Sequence, residues 1–587
     1  MIVPMKHVML LCVADEAERT LDALRDLGAV HLELAAEGGG EGASAQERLE
    51  RADRAVRIVQ KAAKEAGTAR LADAPCQVDE VLELDRKREE LKGEAESLKA
   101  EIRRYGPFGD FDPALARSLE SAGVRLMLRD DGTFEFLYGD ETAQEVPGAR
   151  ALPLPSERLG ETQGRLAAAE REVASLTAQI ASVDVAAIER EFPALRDAVA
   201  FARAKDEMAA NTVAADAAAP KIAVVRGWIP EDCASRLKEA AKGNGWGLAL
   251  RDPEPGETPP TLIRPPRMFR PVKALFEGLG IAPAYSEADV SVPFMCYFSL
   301  FFAMLVGDGA YGAIFLAATI FGWWKTSGRR SPAVRSWLVL MTVFSLATVA
   351  WGALSNTWFG AQIPWCADWP TVRWLADPSY AHMMLLCFTI GASHLMLARI
   401  WNGVCRLNDT TCIAEFGWAG VLLFMYFVTN SIVGIFDGIP SAMYWVFGVS
   451  LAMVLCFTVK PSELKVRGAE LGMLPLNVMS ALGDIISYVR LFAVGLASVK
   501  VAENFNMMAT GLLDGADSAL AKAVMAAFMV AILVLGHALN LVMAGLSILV
   551  HAVRLNTLEF SNHKGVSWAG YAFRPFRKDN QQGDNNE

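Results

Sequence analysis

The usual marks of a reactive centre are scarce. The nine cysteines are scattered along the chain and none forms a CxxC pair. A metal knuckle or redox pair needs such spacing. Cys405 and Cys412 are too isolated for one, so the cysteines read as ordinary apolar side chains of a reducing or membrane setting. No glycine-rich phosphate loop, nucleophile constellation or metal cluster is visible, and no cofactor is expected. An excess of positive charge is also missing. Lys and Arg number 56 against 67 Asp and Glu, a formal net charge of −11, which argues against a nucleic-acid partner. A secretory h-region is absent too. MIVPMKHVMLLCVADEAERT carries one short apolar run followed at once by acidic residues, the pattern of a strand. The amino-terminal half is therefore expected to stay in the cytoplasm.

What is present divides the 587 residues into two unlike halves. Residues 1–290 are rich in Glu, Arg, Lys and Ala, and residues 291–575 hold nearly all the long apolar runs. In the first half, 6–13 reads as a strand, 16–27 as an amphipathic helix and 29–34 as a second strand. The same grammar returns at 221–228, 230–242 and 246–251. Two β-α-β units so far apart can pair into one α+β lobe, placed at 1–40 and 215–255. Between them lie two helical arms, 43–105 and 156–210. Leu84, Leu91, Ala95, Leu98, Ile102 and Tyr105 follow a heptad seam outward. Leu159, Leu166, Ala169, Val173, Leu176, Ile180 and Val183 follow one back, as an antiparallel coiled coil requires. The return helix is expected to run for about 50 residues, roughly 75 Å. Asp131-Gly132 between Val124–Leu128 and Thr133–Tyr138 signals a hairpin, placing a distal lobe at 106–155. A linker, 252–290, opens on the proline-rich DPEPGETPPTLIRPPR. This half reads as a strut with two docking ends.

The fold class expected is thus α+β cytoplasmic lobes joined by a coiled-coil arm, then an all-α membrane domain at 291–565 and a cytoplasmic tail at 566–587. Eight spans are expected, at about 293–306, 311–324, 336–355, 381–400, 414–435, 442–459, 473–502 and 520–558. The first two are short, joined by GDGAYG, and could be a hairpin. Both chain ends inside fits the positive-inside rule. Lys325, Arg329, Arg330, Arg335, Arg399, Arg406, Lys460, Lys465, Arg467, Arg574, Arg577 and Lys578 would all face the cytoplasm.

The last two spans carry the chemistry. Arg490 lies deep in an apolar run, where insertion costs at least ~2.5–3.5 kcal/mol, and its default reading is functional. Asn477, Ser480, Asp484 and Ser487 lead up to it on one face. On the final helix His537, Asn540, Ser547, His551 and Arg554 share a face, with Ala544 in the missing place. One polar stripe on an apolar helix is also explained by interhelical hydrogen bonding, and Arg554 lies near enough to a helix end to reach water. Two adjacent stripes, each with a permanently charged arginine, suggest a lined ion path. Asp484 reads either as a relay or as a partner of Arg490. Asp308, between two glycines, reads as a turn cap, and His394 as a helix–helix hydrogen bond.

Five motifs, in this order, resemble a known family. They are VVRGWIPED (224–232), GDGAYG (307–312), WGALSNTWFG (351–360), SYVRLFAVGLA (487–497) and VHAVRLNTLEF (550–560). The chain resembles subunit I of bacterial V/A-type ATPases, the counterpart of eukaryotic V-ATPase subunit a. The resemblance implies a non-catalytic membrane stator subunit. Arg490 would face the carboxylate of each proteolipid of a c/K-type rotor ring, with Arg554 near the same interface. Its soluble half would bind E/G-type peripheral stalks, and A/B-type catalytic subunits would be indirect partners in the cell membrane. The eukaryotic form has an acidic residue about nine to ten positions before the second arginine, where this chain has Ala544-Gly545. It has a histidine eight positions after the first, where this chain has Ser498. Glu503, His537 and Asn540 are this chain's possible substitutes. The rival readings are a self-contained secondary transporter with a cytoplasmic regulatory arm, and a coiled-coil scaffold with no transport role.

Overall fold

The computed structural model describes residues 2–34, 40–66, 77–106, 110, 112–129, 134–138, 149–152, 157–213, 221–327, 332–364, 368–375, 379–459, 469–512 and 519–578. Strand β1 (Met5–Val13) alternates buried and more exposed residues over most of its length, with Val8, Leu10 and Cys12 turned inward. Helix α1 (Ala17–Leu27) buries Leu21 and Leu24 against it and ends at Gly28, whose φ of 60° suits glycine. Strand β2 (His31–Leu32) follows.

Helices α2 (Glu41–Ala66) and α3 (Val78–Tyr105) lead away, followed by the short α4 (Pro113–Ser121). Strand β3 (Val124–Arg129) pairs antiparallel with β4 (Phe134–Tyr138) and with β5 (Ala149–Leu152). The expected Asp131-Gly132 turn lies outside the described residues. Helix α5 (Leu159–Ala181) packs along α3, and α6 (Val185–Ala210) packs along α2. Ala95, Leu98 and Tyr105 of the outward seam are buried, as are Ala169 and Ile180 of the return seam. The single 50-residue return helix is corrected: it breaks at 182–184. Asp184 Oδ1 accepts from the Ala186 N–H at 3.0 Å and starts a new helix. Val59, Val81, Ile180, Val183 and Ile188 form one apolar core at that corner.

After β6 (Thr212–Val213) the chain re-enters the first sheet through β7 (Ile222–Pro230), α7 (Ala234–Asn244) and β8 (Gly247–Arg251). The strand order is β2-β7-β1-β8, with β6 also on β7. Val8 stands opposite Gly227 and Leu10 opposite Val225, so the two distant β-α-β units share one sheet. A Cβ on Gly227 would lie 2.3 Å from the His31 carbonyl oxygen, so only glycine admits β2 at this edge.

Past α8 (Val272–Leu279) all eight apolar segments are helical. They are α9 (Ser291–Val306), α10 (Gly309–Lys325), α11 (Pro332–Ser355), α13 (Ala381–Cys405), α14 (Cys412–Ile432), α15 (Ser441–Phe457) and two long final elements, with the one-turn α12 (Pro370–Leu375) before α13. Five are long and apolar enough to cross a membrane. The α9–α10 pair meets that test only together and is bent by 119°, while α15 falls short at 17 residues. The bend is at Gly307, with φ of 70°, and Asp308 caps it. The two Asp308 carboxylate oxygens accept from Ala310 N at 2.8 Å and Gly360 N at 2.7 Å.

The seventh segment is two helices, α16 (Leu474–Ile486) and α17 (Val489–Gly511), interrupted at Ser487 and Tyr488. The last begins as α18 (Ala519–Ser547) and continues through π-helical turns at Ile548–Ala552 and Leu555–Phe560 to Lys564. Its apolar run of 43 residues is about 65 Å long at 1.5 Å per residue, twice a bilayer core of about 30 Å. Residues 565–578 then return to the first sheet. Phe576 N donates to Val30 O at 2.7 Å, and the Phe576 ring is buried in that core.

Candidate functional site

Arg490 is the second residue of α17, directly after the break. A three-residue hydrogen bond there, Arg490 N to Ser487 O at 3.3 Å, brings the Ser487 hydroxyl within 3.1 Å of Arg490 Nη2. The same Nη2 lies 3.6 Å from Glu559 Oε1, and Arg554 Nε lies 3.5 Å from that same oxygen. Two arginines from two helices thus share one carboxylate. The Glu559 side chain is 5% exposed, that of Arg490 25% and that of Arg554 52%, so the positive charge lies on the outer side of the carboxylate. Arg490 Nη1, Glu559 Oε2 and His551 Nδ1 are buried without a hydrogen-bond partner among the described residues.

The π-helical turns make this geometry. In an α-helix residues five apart point about 140° from each other. A π-turn, closed by i→i+5 bonds, sets them one above the other. Arg554 and Glu559 are five apart and meet within the turn at Leu555–Phe560. A stripe stepped in threes and fours continues from Arg554 to Leu558, so Glu559 escapes the pattern. Its signal was a lone acid in an apolar helix, within the quoted VHAVRLNTLEF.

Asp484, expected as relay or as partner of Arg490, has its Oδ2 3.0 Å from His563 Nε2. Arg399 Nε donates to His563 Nδ1 at 3.1 Å, and Arg399 Nη1 to Glu415 Oε2 at 3.1 Å. Lys564 Nζ donates to Asn402 Oδ1 at 2.6 Å, and Asn402 Nδ2 to the His563 carbonyl at 3.0 Å. This group lies at the end of the bundle where the chain turns back to the first sheet.

A second group sits farther along α17. Ser498 is two turns past Arg490, about 12 Å along the helix axis. Its hydroxyl donates to Asn540 Oδ1 at 3.1 Å. Asn540 Nδ2 donates to Ser498 O at 2.9 Å and to Tyr311 Oη at 3.0 Å. Tyr311 Oη is 2.7 Å from His537 Nδ1, and His537 Nε2 is 3.2 Å from Asn506 Oδ1. Tyr311 and Asn506 were not singled out from the sequence, because each joins the group only when three helices meet. Two expected residues stand apart from both groups. Glu503 pairs with Lys500 at 2.6 Å. Ser547 is half-buried and donates to Met543 O of its own helix, at 2.8 Å. His394 makes the expected helix–helix bond, Nδ1 to Tyr488 Oη at 2.8 Å.

Among the described residues no three His, Cys, Asp or Glu side chains gather as metal ligands. No family model matches the chain. Curated relatives do. The V-type ATP synthase subunit I 1 of Treponema pallidum is 28% identical over 633 aligned residues, 98% of this chain and all of the relative. The V-type ATP synthase subunit I of Borreliella burgdorferi is 31% identical over 370 residues, 60% of each chain. The A-type ATP synthase subunit I of Methanocaldococcus jannaschii is 24% identical over 72% of this chain and 64% of its own. The chain is a homologue of proteins named subunit I of V-type and A-type ATP synthases, over 98% of its length in the first of these.

Proposed function

We propose that the chain is the membrane stator subunit of a rotary V/A-type ATP synthase, itself non-catalytic, forming ion half-channels against a proteolipid ring. The observation that carries this is the convergence of Arg490 and Arg554 on buried Glu559. Two guanidiniums against one carboxylate leave at least one positive charge in excess. That charge lies beside helices whose apolar outer faces are uncovered. Phe528, Val534, Leu535, Leu539, Val542 and Leu546 of the last helix are each more than half exposed.

A rotor carboxylate surrounded by lipid must be neutral, by protonation or ion binding. Beside a fixed guanidinium its ionised form is favoured. Arg490 strips the ion as each carboxylate arrives and blocks direct leakage between two offset paths. The group at Ser498, Asn540, His537, Asn506 and Tyr311 lines one path. Asp484 stands at the mouth of the other, nearer the first sheet.

In this reading residues 1–290 are a cytoplasmic stator arm with coiled-coil struts and two lobes that hold E/G-type stalks. Residues 291–565 are the membrane domain and 566–587 a cytoplasmic tail. The tail's bonds to the first sheet support the reading that both ends lie on one side, with an even number of crossings. Counting α9 and α10 as two crossings gives eight. The chain works in the cell membrane, and A/B-type catalytic subunits are coupled to it through the rest of the complex.

A mild-detergent pull-down with mass spectrometry tests the assignment. A small proteolipid and A/B-type subunits should co-purify. A chain that emerges alone and transports ions by itself in liposomes would replace this reading with that of a secondary transporter.

A further inference from the structure

His563 sits between Arg399 and Asp484, and its position suits a proton carrier at first sight. The donors decide otherwise. A guanidinium has five N–H donors, no acceptor, and keeps its charge. The bond from Arg399 Nε to His563 Nδ1, at 3.1 Å, therefore requires Nδ1 to be bare. The ring proton must then sit on Nε2, pointing at Asp484 Oδ2 3.0 Å away, and Asp484 must accept it.

Nothing nearby frees the ring. Arg399 is itself held by Glu415, at 3.1 Å, which also pairs with Arg406 at 3.6 Å. The His563 carbonyl is tied to Asn402, and Asn402 to Lys564. His394, the other imidazole near this group, is turned to Tyr488. Glu559, four residues earlier on the same helix, is engaged with the two arginines. The His563 side chain is 6% exposed, whereas that of Asp484 is 28% exposed. The carboxylate is thus reachable by an ion and the imidazole is not.

We propose that Arg399 and His563 form a tautomer lock that holds Asp484 as the cation-receiving carboxylate of the path nearer the first sheet, with His563 a positioning residue that carries no proton. This rests on the reading that Arg490 separates two half-channels. The chemistry is that of metal-ligand histidines whose tautomer is set by the bond at the other nitrogen.

The test is ATP-driven ion uptake by the whole complex in liposomes, with subunit content checked for each variant. A glutamine at 563 can accept from Arg399 and donate to Asp484, and an alanine can do neither. His563→Gln should keep at least about half the rate, while His563→Ala and Asp484→Asn should each lose more than about tenfold. If His563 acts only through Asp484, the double variant should be no slower than the slower single one. Three results would each overturn the proposal. One is a glutamine variant as inactive as the alanine, which makes His563 a carrier. Another is a double variant slower by the product of the two single losses, which makes its role merely structural. The third is an alanine variant at full rate. Arg490→Ala in the same series separates the two levels. Full uptake there would refute the half-channel reading itself, whatever His563 does.

Discussion

Glu559 is set between two guanidiniums with 5% of its side chain exposed. Taking charges out of water is costly, and a buried carboxylate is tolerated only when paired and hydrogen-bonded. Glu559 Oε1 is paired with two arginines, at 3.5 and 3.6 Å, while Oε2 has no hydrogen-bond partner among the described residues. The pairing also restrains both arginines, which in the proposed reading fixes where the positive charge faces a passing carboxylate. Glu559→Gln should leave the complex assembled, because the amide has nearly the shape of the carboxylate, and should cut ATP-driven uptake by about tenfold or more. Uptake at the normal rate would make Glu559 a bystander. Arg490→Lys should fail largely, since an ammonium is a compact point charge that can lose its proton, whereas a guanidinium keeps its charge. Much of this scale was legible beforehand. Arg490, Arg554, His537 and Asn540 stand out as polar residues at helical spacing in apolar runs. Their partners did not stand out. Tyr311, Asn506 and His563 look ordinary until helices from distant parts of the chain are brought together.

At the scale of elements, the departures from regular helix are where the site is built. The break at Ser487 and Tyr488 turns the Ser487 hydroxyl to Arg490. The π-turn at Leu555–Phe560 brings Glu559 under Arg554. A π-turn amounts to one extra residue in an α-helix and is common at functional sites. Deleting Leu558, which is 49% exposed, should let the segment relax to α-geometry with the acid four residues after Arg554. The residues beyond would keep their facing. This variant should retain a substantial part of its uptake. Inserting an alanine after Leu558 should instead rotate everything beyond by about 100°, part His563 from Asp484 and lower uptake more than about tenfold. Equal effects of the two changes would contradict this account of the turn. Such irregularities were hard to read because the apolar pattern runs through them unbroken. The same holds in the arm. Leu176, Ile180 and Val183 keep a helical spacing across the start of the break, and only Asp184, an N-cap residue, signals the restart.

At the scale of the whole molecule, the carboxyl-terminal tail ties the membrane helices to the first sheet. Thr261 N donates to Tyr571 O at 2.8 Å, Arg574 N to His31 Nδ1 at 2.9 Å, and Lys578 pairs with Asp26 at 3.0 Å. Accepting from Arg574 N requires a bare Nδ1, and burial holds His31 below the usual histidine range. A group with a depressed value in the folded state adds stability above the unfolded value near 6.5. That stability is lost as the pH falls through the folded value below it. Tail docking, followed by hydrogen exchange of residues 569–578, should hold at pH 7–8 and loosen below about pH 6. Phe576→Ala should loosen it at every pH, by about 3 kcal/mol for a lost core aromatic. Exchange in the tail that ignores both changes would mean that the clasp does not form. The sheet it grips was legible, since alternating strands announce themselves on both sides of the arm. The clasp was not, because WAGYAFRPF has no period and reads as loop.

The central claim is that Arg490 is the charge past which rotor carboxylates must move. Its most direct test is Arg490→Ala in the purified complex, with subunit content confirmed and ATP-driven ion uptake measured in liposomes. The account predicts a fully assembled complex with coupled uptake abolished. An assembled Arg490→Ala complex that pumps at the normal rate would contradict it.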